Sequence, residues 1–197
     1  MTFPRLSIRG VTYSALFAAL FVVMSYITIP LGFSPVPLTL QNFAVMLTGA
    51  LLGPFYGFLS IGAVLLLTAL GLPLIHGSGG LPYLLGSTGG FIWMYPLAAL
   101  LIGLVASRLR SARTGAFVLL LLAMVLFGSL LLYVTGVPWL AHVAGVSLPR
   151  AMTLGMLPYL PGDLIKAVAA TAAVLAIRRA NLAPTLSAKT DPVVRFE

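Results

Sequence analysis

From Gly10 to Ser107 the chain runs 98 residues without a single Asp, Glu, Lys or Arg. A spanning helix needs roughly 20 consecutive apolar residues, so this run holds several passes. In a bilayer core every backbone N–H and C=O must find its partner inside the protein, which leaves helices or closed barrels. The apolar stretches are continuous and do not alternate with a period of two, so helices are the expected element. Composition agrees: 60% of the 197 residues are hydrophobic and 7% are charged, against about 25% charged in a soluble domain.

The net charge of +8 does not point to nucleic acid. Nine of the eleven basic residues (Arg5, Arg9, Arg108, Arg110, Arg113, Arg178, Arg179, Lys189 and Arg195) lie at helix ends or in tails. That excess is what holds loops on the cytoplasmic side. With no cysteine there is neither a disulfide framework nor a thiolate metal site. The stretch "VTYSALFAALFVVMSYITI" is too long for the core of a signal peptide and lacks a small-x-small exit, so it reads as a retained first helix.

The pattern predicts an all-α membrane protein with six transmembrane helices at 11–29, 39–53, 55–70, 90–107, 115–134 and 161–179. Pro30 stops the first, Gly53–Pro54 turns between the second and third, Gly71 and Pro73 end the third, and Pro138 follows the fifth. Six passes put both termini inside, together with the "RLRSAR" loop at 108–113, and leave Arg150 as the one charge of the outer loops at 30–38, 71–89 and 135–150. Residues 1–180 form a single domain and 181–197 a polar cytoplasmic tail. Trp93, Trp139, Tyr133 and Tyr159 fall near the outer ends, either as an interfacial belt or by chance. Two outer segments, 71–90 and 139–162, are apolar, the first rich in glycine. They are expected to act as lids or re-entrant segments over an outward-facing pocket.

Asp163 and Lys166, in "PGDLIKAVAA", are one helical turn apart, and Asp163 is the only acidic residue before Asp191. A charge inside a spanning helix costs about 2.5–3.5 kcal/mol on insertion scales. A pair kept there either locks helix packing or grips the polar head of an otherwise apolar ligand. Thr39, Gln41 and Asn42, in "PVPLTLQN", start the second helix at the same outer level and can complete such a pocket or satisfy nearby backbone. No phosphate-binding motif of the form G-x-x-x-x-G-K-[ST] is present, so no nucleotide site is expected. His76 and His142, the only histidines, lack metal-ligand spacing, and no metal or cofactor is expected. Ala15 and Ala19 form a small-x-x-x-small face on the first helix, a spacing shared by Ala99 with Gly103, Ala169 with Ala173 and Ala172 with Ala176.

"PVPLTLQN", "GLPLIHGSGGLPYLLGSTGGFIW" and "PYLPGDLIKAV" occur in the order and spacing of the BioY family, which this sequence resembles from about Gly10 to Arg179. The family comprises biotin-binding S-components of energy-coupling factor (ECF) transporters. The resemblance implies six transmembrane helices and an outward-facing pocket capped by loops. It implies biotin contacts by Asp163 and Lys166, and a docking face at Ala15 and Ala19 for a transmembrane coupling protein that works with two ATPase subunits. Where the family commonly has Pro and Tyr in "GPTGGY", this chain has Ser87 and Phe91. The substrate-binding set expected is Asp163, Lys166, Gln41, Thr39, Gly80, Tyr83 and Tyr159. Asp163 accepts from the ureido N–H groups of biotin, and Lys166 donates to the ureido carbonyl or to the valerate carboxylate. The expected function is biotin capture in the bacterial cell (inner) membrane, without catalysis. The alternatives are an intramembrane enzyme using Asp163 as acid or base, and a self-sufficient secondary transporter.

Overall fold

The computed structural model describes residues 7–109, 114–180 and 182. The N-terminal tail, most of the 108–113 loop and nearly all of the 181–197 tail lie outside the described residues. The described chain is helical apart from one two-stranded hairpin. Among the described residues five stretches are long and apolar enough to cross a membrane: Ile8–Tyr26, Gln41–Ala69, Gly89–Arg108, Gly115–Ala144 and Leu160–Arg179.

α1 (Ile8–Tyr26) is capped by Ser7, whose hydroxyl accepts from the Gly10 N–H. The chain leaves α1 into β1 (Thr28–Ile29), which pairs antiparallel with β2 (Leu38–Thr39) across the proline-rich turn, and β2 leads directly into α2 (Gln41–Ala69). α2 is not one rod. Gly53 has φ 78° and ψ −177°, outside any helix, and Pro54 follows it. A Cβ built on Gly57 would lie 3.1 Å from the Gly49 Cα, although eight residues of straight helix would separate them by about 12 Å. The element therefore folds back on itself at Gly53, where the sequence places its turn between the second and third helices. The second arm is tied to α1: Ser14 Oγ donates to the Tyr56 carbonyl and Ser60 Oγ to the Ser14 carbonyl (2.8 Å).

The glycine-rich segment holds two short helices, α3 (Leu81–Leu84) and α4 (Gly89–Ile92), before α5 (Tyr95–Arg108). α5 lies in the notch of the α2 hairpin: Cβ atoms built on Gly49 and Gly103 would collide with the Ala99 carbonyl oxygen and the Gly53 carbonyl carbon. The Ala99/Gly103 spacing is thus spent inside the fold. Ala15 and Ala19 are exposed on α1.

The largest departure from expectation is the fifth helix. It does not end at 134 but runs as α6 (Thr114–Val125), a π-helical turn (Leu126–Leu130) and α7 (Leu131–Ala144), straight through Pro138. A proline that breaks a helix in water is tolerated in a membrane bundle, where neighbours relieve the freed backbone, and the π turn just before it adds a residue to the winding. α7 ends instead in a Schellman motif. Gly145 adopts φ 65°, and Val146 N–H reaches back to the Ala141 carbonyl at 3.0 Å. Residues 135–144, expected as loop, are helix, followed by α8 (Leu148–Gly155) and α9 (Leu160–Arg179). The glycine-rich segment 71–90 packs directly onto α7: a Cβ on Gly90 would collide with the Trp139 Cβ, while the Trp139 indole donates to the Gly86 carbonyl at 2.8 Å.

Candidate functional site

The start of α2, the first turn of α9, the first turn of α7 and the loop before α3 converge on one cavity. It encloses about 550 Å³ of empty volume, its open mouth included. Val36, Pro37, Phe91, Ile92 and Leu132 give it apolar walls, and Thr39, Gln41, Asn42, His76, Thr88, Tyr95, Tyr133, Tyr159, Asp163 and Lys166 give it polar groups.

Asp163 sits in the first turn of α9, where the helix dipole favours a carboxylate, and its side chain is only 8% exposed. Both its oxygens are engaged. Oδ1 accepts from Asn42 Nδ2 and from Lys166 Nζ, each at 2.9 Å, and Oδ2 accepts from the Tyr133 hydroxyl at 2.5 Å. Lys166 also donates to Asn42 Oδ1 at 3.0 Å, so two of its three N–H bonds are used. Asp163, Asn42 and Lys166 close a ring of charge-assisted bonds, and Tyr133 joins it through Asp163, so the network links α2, α7 and α9.

Beside this ring lies a less satisfied group. Gln41 is 3% exposed. Its Oε1 lies 3.4 Å from the Tyr95 hydroxyl, and its Nε2 has no hydrogen-bond partner among the described residues. Thr39 Oγ1 accepts from the Gln41 backbone N–H at 3.3 Å. The Tyr159 hydroxyl donates to the Val36 carbonyl and lies 3.1 Å from Ser34 Oγ, so it pins the entry turn of α2 to the start of α9. On the opposite wall His76 Nδ1 lies 2.9 Å from the Tyr83 hydroxyl, and His76 Nε2 is buried without a partner among the described residues. Burial lowers the His76 pKa from its ordinary value and raises that of Tyr83 to about 12.

Of the expected binding residues, the cavity brings together Asp163, Lys166, Gln41, Thr39 and Tyr159. Gly80 and Tyr83 are not in its wall. Gly80, at φ 88°, precedes α3 and donates its N–H to the Thr68 carbonyl at 2.7 Å. Tyr83 stands behind His76, whose Nδ1 it touches at 2.9 Å. Tyr133 and Tyr159 are buried at 7% and 5% exposure and line the cavity, away from any lipid interface. Sequence reasoning overlooked His76, Tyr95 and Tyr133 as site residues. The available signal was that a tyrosine buried in an oily bundle needs a partner for its hydroxyl, and Asp163 is the only carboxylate in the described chain. Among the described residues no group of three His, Asp or Glu could hold a metal.

The model of the BioY family matches residues 1–183 of this chain. A protein of Pyrococcus horikoshii named "Probable biotin transporter BioY" is 41% identical over 171 residues, 86% of this chain and 95% of that protein. The "Biotin transporter BioY" of Lactococcus lactis is 34% identical over 174 residues, covering 87% and 92% of the two chains. Among solved structures, a crystal structure described as the S-component for biotin from an ECF-type ABC transporter superposes with a TM-score of 0.81 at 34% identity. That superposition covers 87% of this chain and 92% of the other. The spanning helices, the match along nearly the whole length and the shared fold lead to one assignment: this chain is a multi-pass membrane protein of the BioY family.

Proposed function

We propose that this chain captures biotin at the outer face of the bacterial inner membrane, as the substrate-specificity component of an ECF-type importer. The observation that carries the reading is the cavity, where apolar walls surround a single buried ion pair and several N–H donors. Biotin matches that lining. Its bicyclic body is apolar, its ureido head has two N–H donors and one carbonyl, and its tail ends in a carboxylate. Pockets for such ligands are mostly apolar with a few convergent polar groups.

With the two arms of α2 counted separately the chain makes six crossings, with both termini inside. Arg108, Arg178 and Arg179 then fall at inner helix ends and Arg150 outside, as the positive-inside rule requires. The sequence carries no phosphate-binding motif, so movement of the ligand relies on a separate transmembrane coupling protein and two ATPase subunits. The exposed Ala15 and Ala19 give that partner a place for close helix approach.

Purified chain in nanodiscs, titrated calorimetrically with biotin, is expected to bind one equivalent with heat that saturates. A flat titration would end the proposal. For the partner face, Ala15→Leu and Ala19→Leu are expected to leave that titration unchanged and to abolish co-purification of the coupling protein. Full recovery of the complex would remove the face from the account.

A further inference from the structure

Three features single out His76 within the cavity. The first is its backbone. His76 has φ 52°, the only non-glycine residue with positive φ among those described, and it sits beside Gly77 at φ 71° in a tight turn closed by the Ile75–Ser78 bridge. Such a conformation is disfavoured for a side chain of this size. The turn is anchored nonetheless: the His76 N–H donates to Ser25 Oγ at 3.3 Å, and that hydroxyl also reaches the Leu74 carbonyl at 3.3 Å. The second feature is that the ring is held at one nitrogen and bare at the other. Tyr83 occupies Nδ1 at 2.9 Å, with the two rings edge to face at 84°. Nε2 is buried in the cavity wall and has no partner among the described residues. A buried polar atom left without a hydrogen bond is costly.

The third is the direction of the bonds. Burial keeps the Tyr83 hydroxyl protonated, so it can donate to Nδ1, which lies 2.9 Å away. A neutral imidazole that accepts at Nδ1 carries its proton on Nε2, and burial keeps the ring neutral. In that arrangement His76 Nε2 is a donor, like the unpartnered Nε2 of Gln41 and the third N–H of Lys166. Both oxygens of the single carboxylate are already engaged by protein donors. The unmet demand of the cavity is for acceptors.

Building on the proposed biotin site, we infer that His76 is a specificity-determining contact whose Nε2–H donates to an acceptor oxygen of the ligand. Tyr83 is a positioning residue that fixes the tautomer. Two oxygen sources on biotin fit, the ureido carbonyl and the carboxylate, and analogues separate them. An analogue whose tail ends in a methyl group lacks the carboxylate oxygens, and the 2-thione replaces the ureido oxygen with sulfur, a poor acceptor.

The full chain in nanodiscs is titrated with biotin and both analogues, as wild type, His76→Asn and His76→Gln. Asparagine tolerates positive φ, so the turn survives. His76→Asn is expected to weaken biotin binding roughly tenfold, the loss for one buried hydrogen bond, and His76→Gln to recover part of it. The penalty should vanish for the analogue lacking the contacted oxygen. An unchanged biotin affinity, or a penalty that persists for both analogues, overturns the inference. A wild-type chain that ignores biotin instead refutes the proposed function. A readout independent of ligand is available because the chain has two histidines. The ¹⁵N shifts in a His142→Gln background should show His76 in the Nε2–H form, and Tyr83→Phe should mix the tautomers. An Nδ1–H form in the wild type would also overturn the inference.

Discussion

The two ends of α9 bury charge in opposite ways. At its N-terminal end, which the proposed topology puts outside, Asp163 and Lys166 belong to a ring of side chains that lines a cavity and adjoins N–H groups with no partner among the described residues. At its C-terminal end, inner on the same proposed topology, Arg178 donates from Nη1 to the Ala106 and Leu109 carbonyls at 3.1 and 3.3 Å and from Nη2 to the Ala50 carbonyl at 2.8 Å. Those carbonyls belong to the end of α5, the residue after it and the first arm of the α2 hairpin. The guanidinium is a clamp on backbone acceptors and takes no part in the lining of the ligand cavity. The contrast separates two uses of a sheltered ion, one buried and one half-buried, in a chain this poor in charge. Where the partners are backbone carbonyls, the ion holds helices together. Where the partners are side chains around a void, it shapes a site.

The strongest test acts on the outer end. Asp163→Asn keeps the volume of the side chain but removes the charge that Lys166, Asn42 and Tyr133 converge on. Removing one member of a buried pair costs about 3–5 kcal/mol, and part of that loss falls on binding. Biotin affinity measured calorimetrically is expected to drop at least ~10-fold, since a hydrogen bond to a charged group contributes about 1.5–3 kcal/mol. An unchanged affinity would show that the ring merely locks α2, α7 and α9, and the two ends would no longer differ in kind.

Arg178→Met probes the other side of the comparison. Methionine preserves much of the aliphatic contact and withdraws the donors, leaving three carbonyls to re-pair. Thermal unfolding in detergent is expected to show a loss of roughly 2–3 kcal/mol, with biotin affinity unmoved. If affinity falls along with stability, the inner clamp is coupled to the site through the helix and the separation fails.

The outer pair is also the part of the site most legible in the sequence. In a nearly uncharged chain Asp163 and Lys166 announce themselves, because a membrane makes each isolated ion expensive. Gly53–Pro54 is equally legible, since a glycine with free φ followed by a proline defines a turn in any solvent. Pro138 misleads because its rule comes from helices in water; inside the bundle α7 continues six residues past it. That error moves Tyr133 from mid-helix to a supposed interface and hides its bond to Asp163. The His76–Tyr83 contact lies beyond the sequence altogether. It depends on how a glycine-rich loop folds over the helices, and neither periodicity nor spacing encodes that packing.

The smallest expected effect sharpens the comparison by pH, because Arg178 does not titrate near neutrality whereas His76 can. Burial holds the His76 pKa below its unfolded value of 6.5, so between the two values the unfolded chain binds a proton that the folded chain refuses. Stability then rises with pH across that window. On acidification it falls once the pH drops below about 6.5, and it levels off below the folded pKa. Above 6.5 the ring is neutral in both states and contributes no slope. Tyr83, raised to about 12, stays protonated throughout. Unfolding followed from about pH 5 to 8, the range in which a histidine titrates, should show this shallow decline in the His142→Gln background, and His76→Asn should flatten it. A decline of equal depth in both proteins would place the titrating group elsewhere and leave the outer end as insensitive to pH as the inner one.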